Sequence, residues 1–126
     1  MRMIHTIRPD GAVAVDDLIF VKGAPTTAGS KILEGFEPLF GAEVTERLEK
    51  AGYPVAGISA VGEFGLDLLG EFSCSGAALE GGRLVGPAAS LVADGTVEGA
   101  LNVDLNGAPR RAAAVSGVVF IKPTYG

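Results

Sequence analysis

The sequence has few of the residue types that most often carry chemistry. Its 126 residues include one cysteine, one histidine and no tryptophan. Because Cys74 stands alone, a disulfide within the chain and a zinc site built from several cysteines are both excluded. A catalytic thiol would need His5, the single histidine, as its base, and nothing in the sequence favours that pairing.

Positive charge is scarce as well. The formal net charge is −5, and only two of the ten basic residues, Arg110 and Arg111, are adjacent. Two residues do not form a basic patch, and an acidic surface repels a phosphate backbone. We therefore expect no direct nucleic-acid partner.

Long hydrophobic runs are missing too. No window approaches the roughly 20 uninterrupted apolar residues that cross a bilayer. The opening residues, MRMIHTIRPDG, lack the apolar core of a signal peptide. The sequence therefore predicts no membrane span and a cytoplasmic location.

Small apolar residues and glycine dominate what is present. Hydrophobic residues make up 48% of the chain, aromatic residues only 6%, and there are 19 glycines. A chain of this length can bury roughly 65% of its unfolded surface, which is enough for one core. We therefore expect a single domain over residues 1–126, with a core of Ala, Val, Leu and Ile.

Short helices and short strands alternate along the sequence, which predicts an α/β fold with a mixed or parallel sheet flanked by short helices. Residues 12–15 and 18–22 are apolar on both sides of an acidic pair, indicating a second strand region or a tight hairpin. Loops are predicted over 22–30 and 74–86. Ser30 is expected to cap a short helix that stops at Gly35. The predicted strands are 3–7, 53–59, 96–105 and 118–122, and the predicted helices are 42–52, 61–72, 87–94 and 108–117.

The helix over 42–52 carries the clearest pattern. Phe40, Val44, Leu48 and Ala51 recur at spacings of four, four and three, which places them on one apolar face. Gly52 provides the stop signal.

Two stretches are similar to the amidase signature family. GVVFIKPTYG, at 117–126, resembles the family pattern GVVGLKPTYG, and residues 13–64 resemble the family without a gap through TTAGSKIL and AEVTERLEKAG. The likeness covers most of the chain, with an apparent deletion near 73–83. It extends to the N-terminal part of the A subunit of tRNA amidotransferases, which belongs to this family.

The resemblance implies a mixed sheet with helices on both faces and a chemistry based on two serines and a lysine. The family lysine corresponds to Asp16, the middle serine falls near Leu84 and the nucleophilic serine corresponds to Ala108. All three catalytic groups are thus replaced, whereas Asp104 and Gly107 match the family. We therefore predict no catalytic residue, no cofactor and no resident metal.

Other hydroxyl groups do not replace the missing nucleophile in this interpretation. Ser90 and Ser116 sit in apolar stretches, which is typical of packed hydroxyls. Low-priority candidates to line a vestigial small-molecule pocket remain: Asp16, Asp17, Thr26, Thr27 and Asp104. The simplest alternative for the acidic pair is that one carboxylate bonds backbone while the other is solvated.

Three functions are compatible with these residues. The favoured one is a non-catalytic binding or assembly module, because the lysine and both serines are replaced while scaffold residues persist. Family members also continue well beyond KPTYG, so a strand at 118–122 would lie uncovered at a sheet edge, which favours association. A symmetric homodimer is the simplest cover. The second is a hydrolase of amide bonds that uses Asp16 and Asp17 as acid/base groups, or with Asp104 as ligands to a hard cation. The third is an accessory subunit of a full-length amidase.

Overall fold

The computed structural model describes residues 3–66, 68, 79–80, 83–84 and 86–125. These residues form a small α/β domain with a mixed sheet and three α-helices. The strands are β1 (His5–Thr6), β2 (Val13–Asp16), β3 (Val55–Ser59), β4 (Leu79–Glu80), β5 (Arg83–Leu84) and β6 (Gly99–Leu101), and the helices are α1 (Glu43–Lys50), α2 (Pro87–Ala93) and α3 (Ala108–Ser116).

The main sheet has the strand order β1-β3-β2-β6, while β4 and β5 form a separate antiparallel hairpin. β2 runs parallel to β3 on one side and to β6 on the other, and β1 is antiparallel to β3. Parallel neighbours need crossover connections. The connection from β2 to β3 contains α1, and the connection from β3 to β6 contains α2. The chain therefore passes from β2 to β3 on one side of β2, and then crosses to β6 on the other side of β2.

Both faces of the central strands are covered, so every residue of β2 and β3 is buried. The two strands contribute to two core clusters, and in β3 the alternation is interrupted by a register shift against β2. The first is formed by Val15, Ile19, Ala24, Val55 and Ile58, and the second by Ala14, Ala56, Leu91 and Val97. The aromatic-poor composition is reflected here, since neither cluster contains an aromatic ring.

Most of the predicted elements are confirmed, with shorter bounds. The strands expected at 3–7 and 53–59 and the helices expected at 42–52, 87–94 and 108–117 all form. Of the strand expected at 96–105, only β6 forms. Ser30 caps a single 3₁₀ turn, Lys31–Leu33, by accepting a hydrogen bond from the backbone N–H of Ile32 at 3.4 Å. Left-handed glycines end α3 at Gly117 and the 3₁₀ turn near Gly35.

Three predicted local structures are wrong. Residues 18–22 form no strand, because the backbone N–H of Ile19 donates to Asp16 O at 3.0 Å and turns the chain directly after β2. Of the helix expected at 61–72, the described residues 61–66 and 68 form only one 3₁₀ turn, Glu63–Gly65, which contains the left-handed backbone of Phe64 and Gly65. Residues 67 and 69–72 lie outside the described part. The loop expected at 74–86 contains the hairpin of β4 and β5, and its other residues, including Cys74, are outside the described part apart from Gly86.

The strand expected at 118–122 is also wrong. It joins no strand among the described residues, and Val119 and Ile121 are 89% and 78% exposed. The apolar face expected on α1 is likewise uncovered: Phe40 is 68% exposed, and the residue that α1 buries is Thr45. An apolar pattern indicates which side chains share a face, but not whether the chain supplies anything to cover it.

Among the described residues, none of the helices combines the length and apolar character needed to cross a membrane.

Two glycines in strands provide a matched test of this packing. A Cβ at Gly57 in β3 would lie 2.4 Å from the backbone oxygen of His5 in β1, whereas a Cβ at Gly99 in β6 would meet nothing within 4 Å. We expect Gly57→Ala to lower the free energy of unfolding by about 1–3 kcal/mol, as overpacked substitutions do. Gly99→Ala should change it by less than about 0.5 kcal/mol. Urea denaturation of both variants checks this, and equal effects would contradict the strand order.

Candidate functional site

The candidate site lies at the carboxyl ends of the three parallel strands. Asp16 ends β2, Ser59 ends β3, and Asp104 follows the end of β6 by three residues. In open α/β sheets, ligands bind at this edge. The ligand site lies beside the strand at which the connections change direction along the sheet. β2 occupies that position.

Asp17 ties the loop over 26–30 to the end of β2. Its carboxylate accepts hydrogen bonds from the backbone N–H of Thr27 at 3.0 and 3.2 Å, from the Thr27 hydroxyl, and from the backbone N–H of Gly29 at 3.4 Å. Its own backbone N–H donates to Ser59 O at 3.1 Å, which continues the pairing of β2 with β3. Both oxygens of the Asp17 carboxylate therefore accept hydrogen bonds that hold the loop in place.

Asp16 joins the end of β2 to the segment after β6. Its two carboxylate oxygens accept from the backbone N–H of Leu18 at 3.1 Å and from that of Val103 at 2.7 Å, and the side chain of Asn102 also hydrogen-bonds to it. Burial raises the pKa of Asp16 from 3.8 to about 6, and the charge of Asp17 adds to this. The hydrogen bonds favour the ionised form and limit the rise.

Both aspartates are 1% exposed. The expectation that one carboxylate of the pair is solvated is therefore wrong. The physical reason is that both side chains find backbone N–H donors, Asp16 across the sheet and Asp17 in the following loop.

Asp104 organises the turn that leads into α3. Its carboxylate accepts from the backbone N–H of Gly107 at 2.7 Å and from Arg110 Nε at 2.6 Å, and its side chain is only 3% exposed. Lys122 Nζ donates to the backbone oxygen of Asp104 at 2.8 Å. Burial opposes ionisation of Asp104, but the bonds from Arg110 and Gly107 and the charges of Arg110 and Lys122 outweigh it and lower its pKa.

The structure brings some of the candidate residues together and separates others. Asp17 and Thr27 are bonded directly, and Asp16 reaches Val103, the residue before Asp104. Thr26 is buried, and its N–H donates to Phe36 O at 3.0 Å. Its hydroxyl oxygen finds no hydrogen-bond partner among the residues that the structure describes. Within the described ranges, no three acidic, His or Cys side chains are close enough to hold a metal ion.

Ala108, the position at which the family resemblance implies a nucleophilic serine, begins α3. Ala108 carries only a methyl group there, and its backbone N–H donates to Asn106 Oδ1 at 3.2 Å. Within the part of the chain that the structure describes, the buried hydroxyls of Ser90 and Ser116 meet no hydrogen-bond partner, in agreement with packed residues rather than an activated nucleophile.

Several residues of the candidate site were not predicted from the sequence. Val103 and Asn102 contact Asp16 from a segment far along the chain, and no local pattern indicates this. Ser30 Oγ donates to Glu63 Oε1 at 2.8 Å while also capping the turn at Ile32. Its predicted capping role is thus observed, and the carboxylate partner was missed.

The raised pKa of Asp16 predicts a pH-dependent stability. The folded protein holds this proton more tightly than the unfolded chain, so the free energy of unfolding falls by about 3 kcal/mol as pH rises from about 4 to about 6. The contribution then stays low at neutral pH. Asp16→Asn cannot titrate, so the stability difference between wild type and variant should change by this amount over the same interval. A constant difference, measured by urea denaturation at each pH, would contradict the burial of Asp16.

The adjacent threonines provide a second test. Thr27→Val removes a hydroxyl that donates to Asp17 and should lower the free energy of unfolding by about 1–3 kcal/mol. Thr26→Val removes a buried hydroxyl without a partner and should leave stability equal or raise it by about 1 kcal/mol. Denaturation of the two variants checks the sign of each change, and a larger loss for Thr26→Val would refute this arrangement.

Comparison with known proteins identifies the family of the chain. A family model described as Amidase matches residues 12–126. The A subunit of glutamyl-tRNA(Gln) amidotransferase from Anaeromyxobacter dehalogenans is 46% identical over 122 residues, covering 90% of this chain and 25% of that protein. Its counterpart from Methanococcoides burtonii is 40% identical over 121 residues, with 90% and 26% covered.

A third relative agrees with these two. The corresponding protein of Halobacterium salinarum is 43% identical over 122 residues, covering 90% of this chain and 29% of the relative. The chain thus spans about a quarter of the length of the curated relatives it matches. By its sequence match and its mixed α/β sheet, the chain belongs to the amidase family.

Proposed function

We propose that this chain is a non-catalytic amidase-like module, which acts by binding a partner and not by cleaving an amide. The observation that carries the proposal is the set of hydrogen bonds that the Asp16 carboxylate accepts. This residue stands where the family resemblance requires a lysine base, and its two carboxylate oxygens are held by the backbone N–H groups of Leu18 and Val103.

The other two matched positions support the same proposal. A serine-based amide hydrolysis needs a hydroxyl that attacks the carbonyl carbon and a path for its proton. Ala108 has no oxygen, and Leu84 has none to relay a proton. If the Asp16 carboxylate acted as a base, neither position that corresponds to a family serine would offer a hydroxyl proton for it to accept.

Binding is supported by the exposed apolar side chains. Ile32, Leu39, Val119 and Ile121 are each more than three-quarters exposed. Burial of such a side chain is worth roughly 1.5–3 kcal/mol, so covering several of them would stabilise an assembly substantially. The homodimer predicted from the sequence is one such assembly, and a retained small-molecule pocket near Asp17 and Thr27 is a further part of the proposal. A single domain over 1–126, a cytoplasmic location and the lack of a nucleic-acid partner remain predictions.

A hydrolase with relocated groups is the second candidate. It is favoured by the pKa of Asp16, which at about 6 is close to the value that suits proton transfer at neutral pH. The hydrogen bond from Ser30 to Glu63 also places a hydroxyl beside a carboxylate. Against it, Ser30 is 1% exposed and already accepts the N–H of Ile32. The cation-dependent version receives no support from the described residues, where three candidate ligands do not meet.

An active-site label separates these two functions. We expect purified protein to release no ammonia from glutamine, asparagine or simple amides, and to gain no mass from a fluorophosphonate, because the hydroxyls at the described positions are packed or bonded within the fold. Intact-mass spectrometry and an ammonia assay measure this, with a full-length amidotransferase relative as the positive control.

A covalent adduct mapped to Ser30, Thr27, Ser90 or Cys74, lost in the corresponding substitution, would overturn the proposal. Turnover that Asp16→Asn abolishes while the circular dichroism spectrum is unchanged would instead establish the hydrolase with relocated groups.

A further inference from the structure

The turn between β6 and α3 contains an asparagine that is followed directly by a glycine. These residues are Asn106 and Gly107, and Asn106 is exposed to solvent. Asparagine is among the thermally labile residues of proteins, and glycine has no Cβ to shield its backbone nitrogen from the preceding side chain. The backbone nitrogen of Gly107 is therefore a potential nucleophile next to the side-chain amide carbon of Asn106.

The reaction open to this pair needs only water. The Gly107 nitrogen loses its proton to solvent and forms a bond to Asn106 Cγ, while the bond from Cγ to Nδ2 breaks and Nδ2 leaves as ammonia after taking up a proton. The product is a cyclic succinimide. Water then opens the ring at either of its carbonyl carbons, which leaves aspartate or isoaspartate at position 106. The net change exchanges an amide NH₂ for a hydroxyl, without oxidation or reduction.

The fold holds each group that takes part in this reaction. The backbone N–H of Gly107 donates to Asp104 Oδ1 at 2.7 Å. The leaving nitrogen, Asn106 Nδ2, donates to Leu66 O at 2.9 Å, and the side-chain oxygen of Asn106 accepts from the backbone N–H of Ala108 at 3.2 Å. Ammonia can leave only when the bond to Leu66 breaks, so conversion requires the turn to open.

Asp104 opposes the first step in particular. A Gly107 nitrogen that loses its proton becomes negative, and it would then lie against the negative carboxylate of Asp104, which disfavours this state. Arg110 Nε donates to the same carboxylate at 2.6 Å, which favours its charged form. The contact between Asp104 and Gly107 therefore protects the asparagine for as long as the turn is closed.

We propose that Asn106 is a self-modification site, and that the contact between Asp104 and Gly107 sets the rate of its conversion. The product alters the turn in two ways. It replaces the amide that donates to Leu66 by a carboxylate, and isoaspartate adds one carbon to the backbone directly before α3. Conversion therefore releases the start of α3 from Leu66, and it is irreversible without a repair reaction. This inference is independent of the proposed binding function.

Timed mass spectrometry tests the proposal. The purified 126-residue chain is incubated at neutral pH, either folded or in urea, and conversion of Asn106 is followed in the tryptic peptide that contains it. We expect conversion about tenfold or more slower in the folded chain than in urea, because the turn must open first. The same peptide contains Asn102 as an internal control. In urea, Asn102 should convert about tenfold or more slowly than Asn106, because the branched side chain of Val103 crowds the attacking nitrogen.

Two substitutions separate the contact of Asp104 with Gly107 from its contact with Arg110. Asp104→Ala removes the acceptor of the Gly107 N–H and should raise the rate in the folded chain by about tenfold, towards the rate in urea. Arg110→Gln is the matched control, because it leaves the carboxylate in contact with Gly107, and it should change the rate by less than about twofold. Circular dichroism confirms that each variant is folded.

A measurement on the wild type does not depend on the folding of a variant. As urea is raised below the unfolding transition, hydrogen exchange of the Gly107 amide and conversion of Asn106 should accelerate by the same factor, since both require the turn to open.

Four outcomes would overturn the inference: equal conversion in the folded chain and in urea, conversion of Asn102 as fast as that of Asn106 in urea, a folded Asp104→Ala variant that is no faster than the wild type, or equal acceleration by Arg110→Gln. Exchange of the Gly107 amide that accelerates without conversion of Asn106 would also contradict it. None of these outcomes involves a partner or turnover of an added amide, so failure here is distinguishable from failure of the proposed function.

Discussion

The buried pair of carboxylates at the end of β2 is the constraint on which the rest of this structure depends. Removing two adjacent acids from water is unfavourable unless hydrogen bonds replace the lost hydration. Here the donors are backbone N–H groups from the turn after β2, from the loop over 27–29 and from the segment after β6. Because these segments are far apart in sequence, satisfying Asp16 and Asp17 fixes the whole carboxyl edge of the sheet.

The loops next to this edge carry local strain. Ala28 and Phe64 both have left-handed backbone, with φ of 51° and 52°, although neither is glycine. The N–H of Phe64 donates to Ala28 O at 2.7 Å, so the two strained residues hold each other in place. Strained backbone conformations persist when surrounding contacts hold them in place. Here the hydrogen bonds from Thr27 and Gly29 to Asp17 fix the residues on both sides of Ala28. These bonds hold the two loops together at the carboxyl edge of the sheet.

The sequence predicts this structure well where local physics decides and poorly where distant segments meet. Apolar runs with turn signals locate β2 and β3, and glycine or proline at the ends locates α2 and α3. The failures have two causes. Residues 18–22 are packed as the apolar pattern indicates, with Ile19 in the core, but the turn after β2 prevents a strand. The apolar patterns at 118–122 and on α1 indicate side chains suited to burial, but whether anything covers them is a property of the assembled molecule. The partner of Asp16 lies 87 residues away, at Val103, and no local spacing reveals it. The family resemblance drew attention to Asp16, but the hydrogen bonds that this carboxylate accepts are visible only in the folded chain.

The central claim is that Asp16 has a structural role at a position where the family resemblance expects a base. The most direct measurement follows the Val103 amide by nuclear magnetic resonance, because this group donates to the carboxylate at 2.7 Å. The account predicts that its proton shift titrates with a midpoint near the pKa of Asp16, about 6, and that Asp16→Asn removes the titration. A Val103 amide that does not titrate, or that exchanges with solvent at the rate of an unbonded group, would contradict the claim.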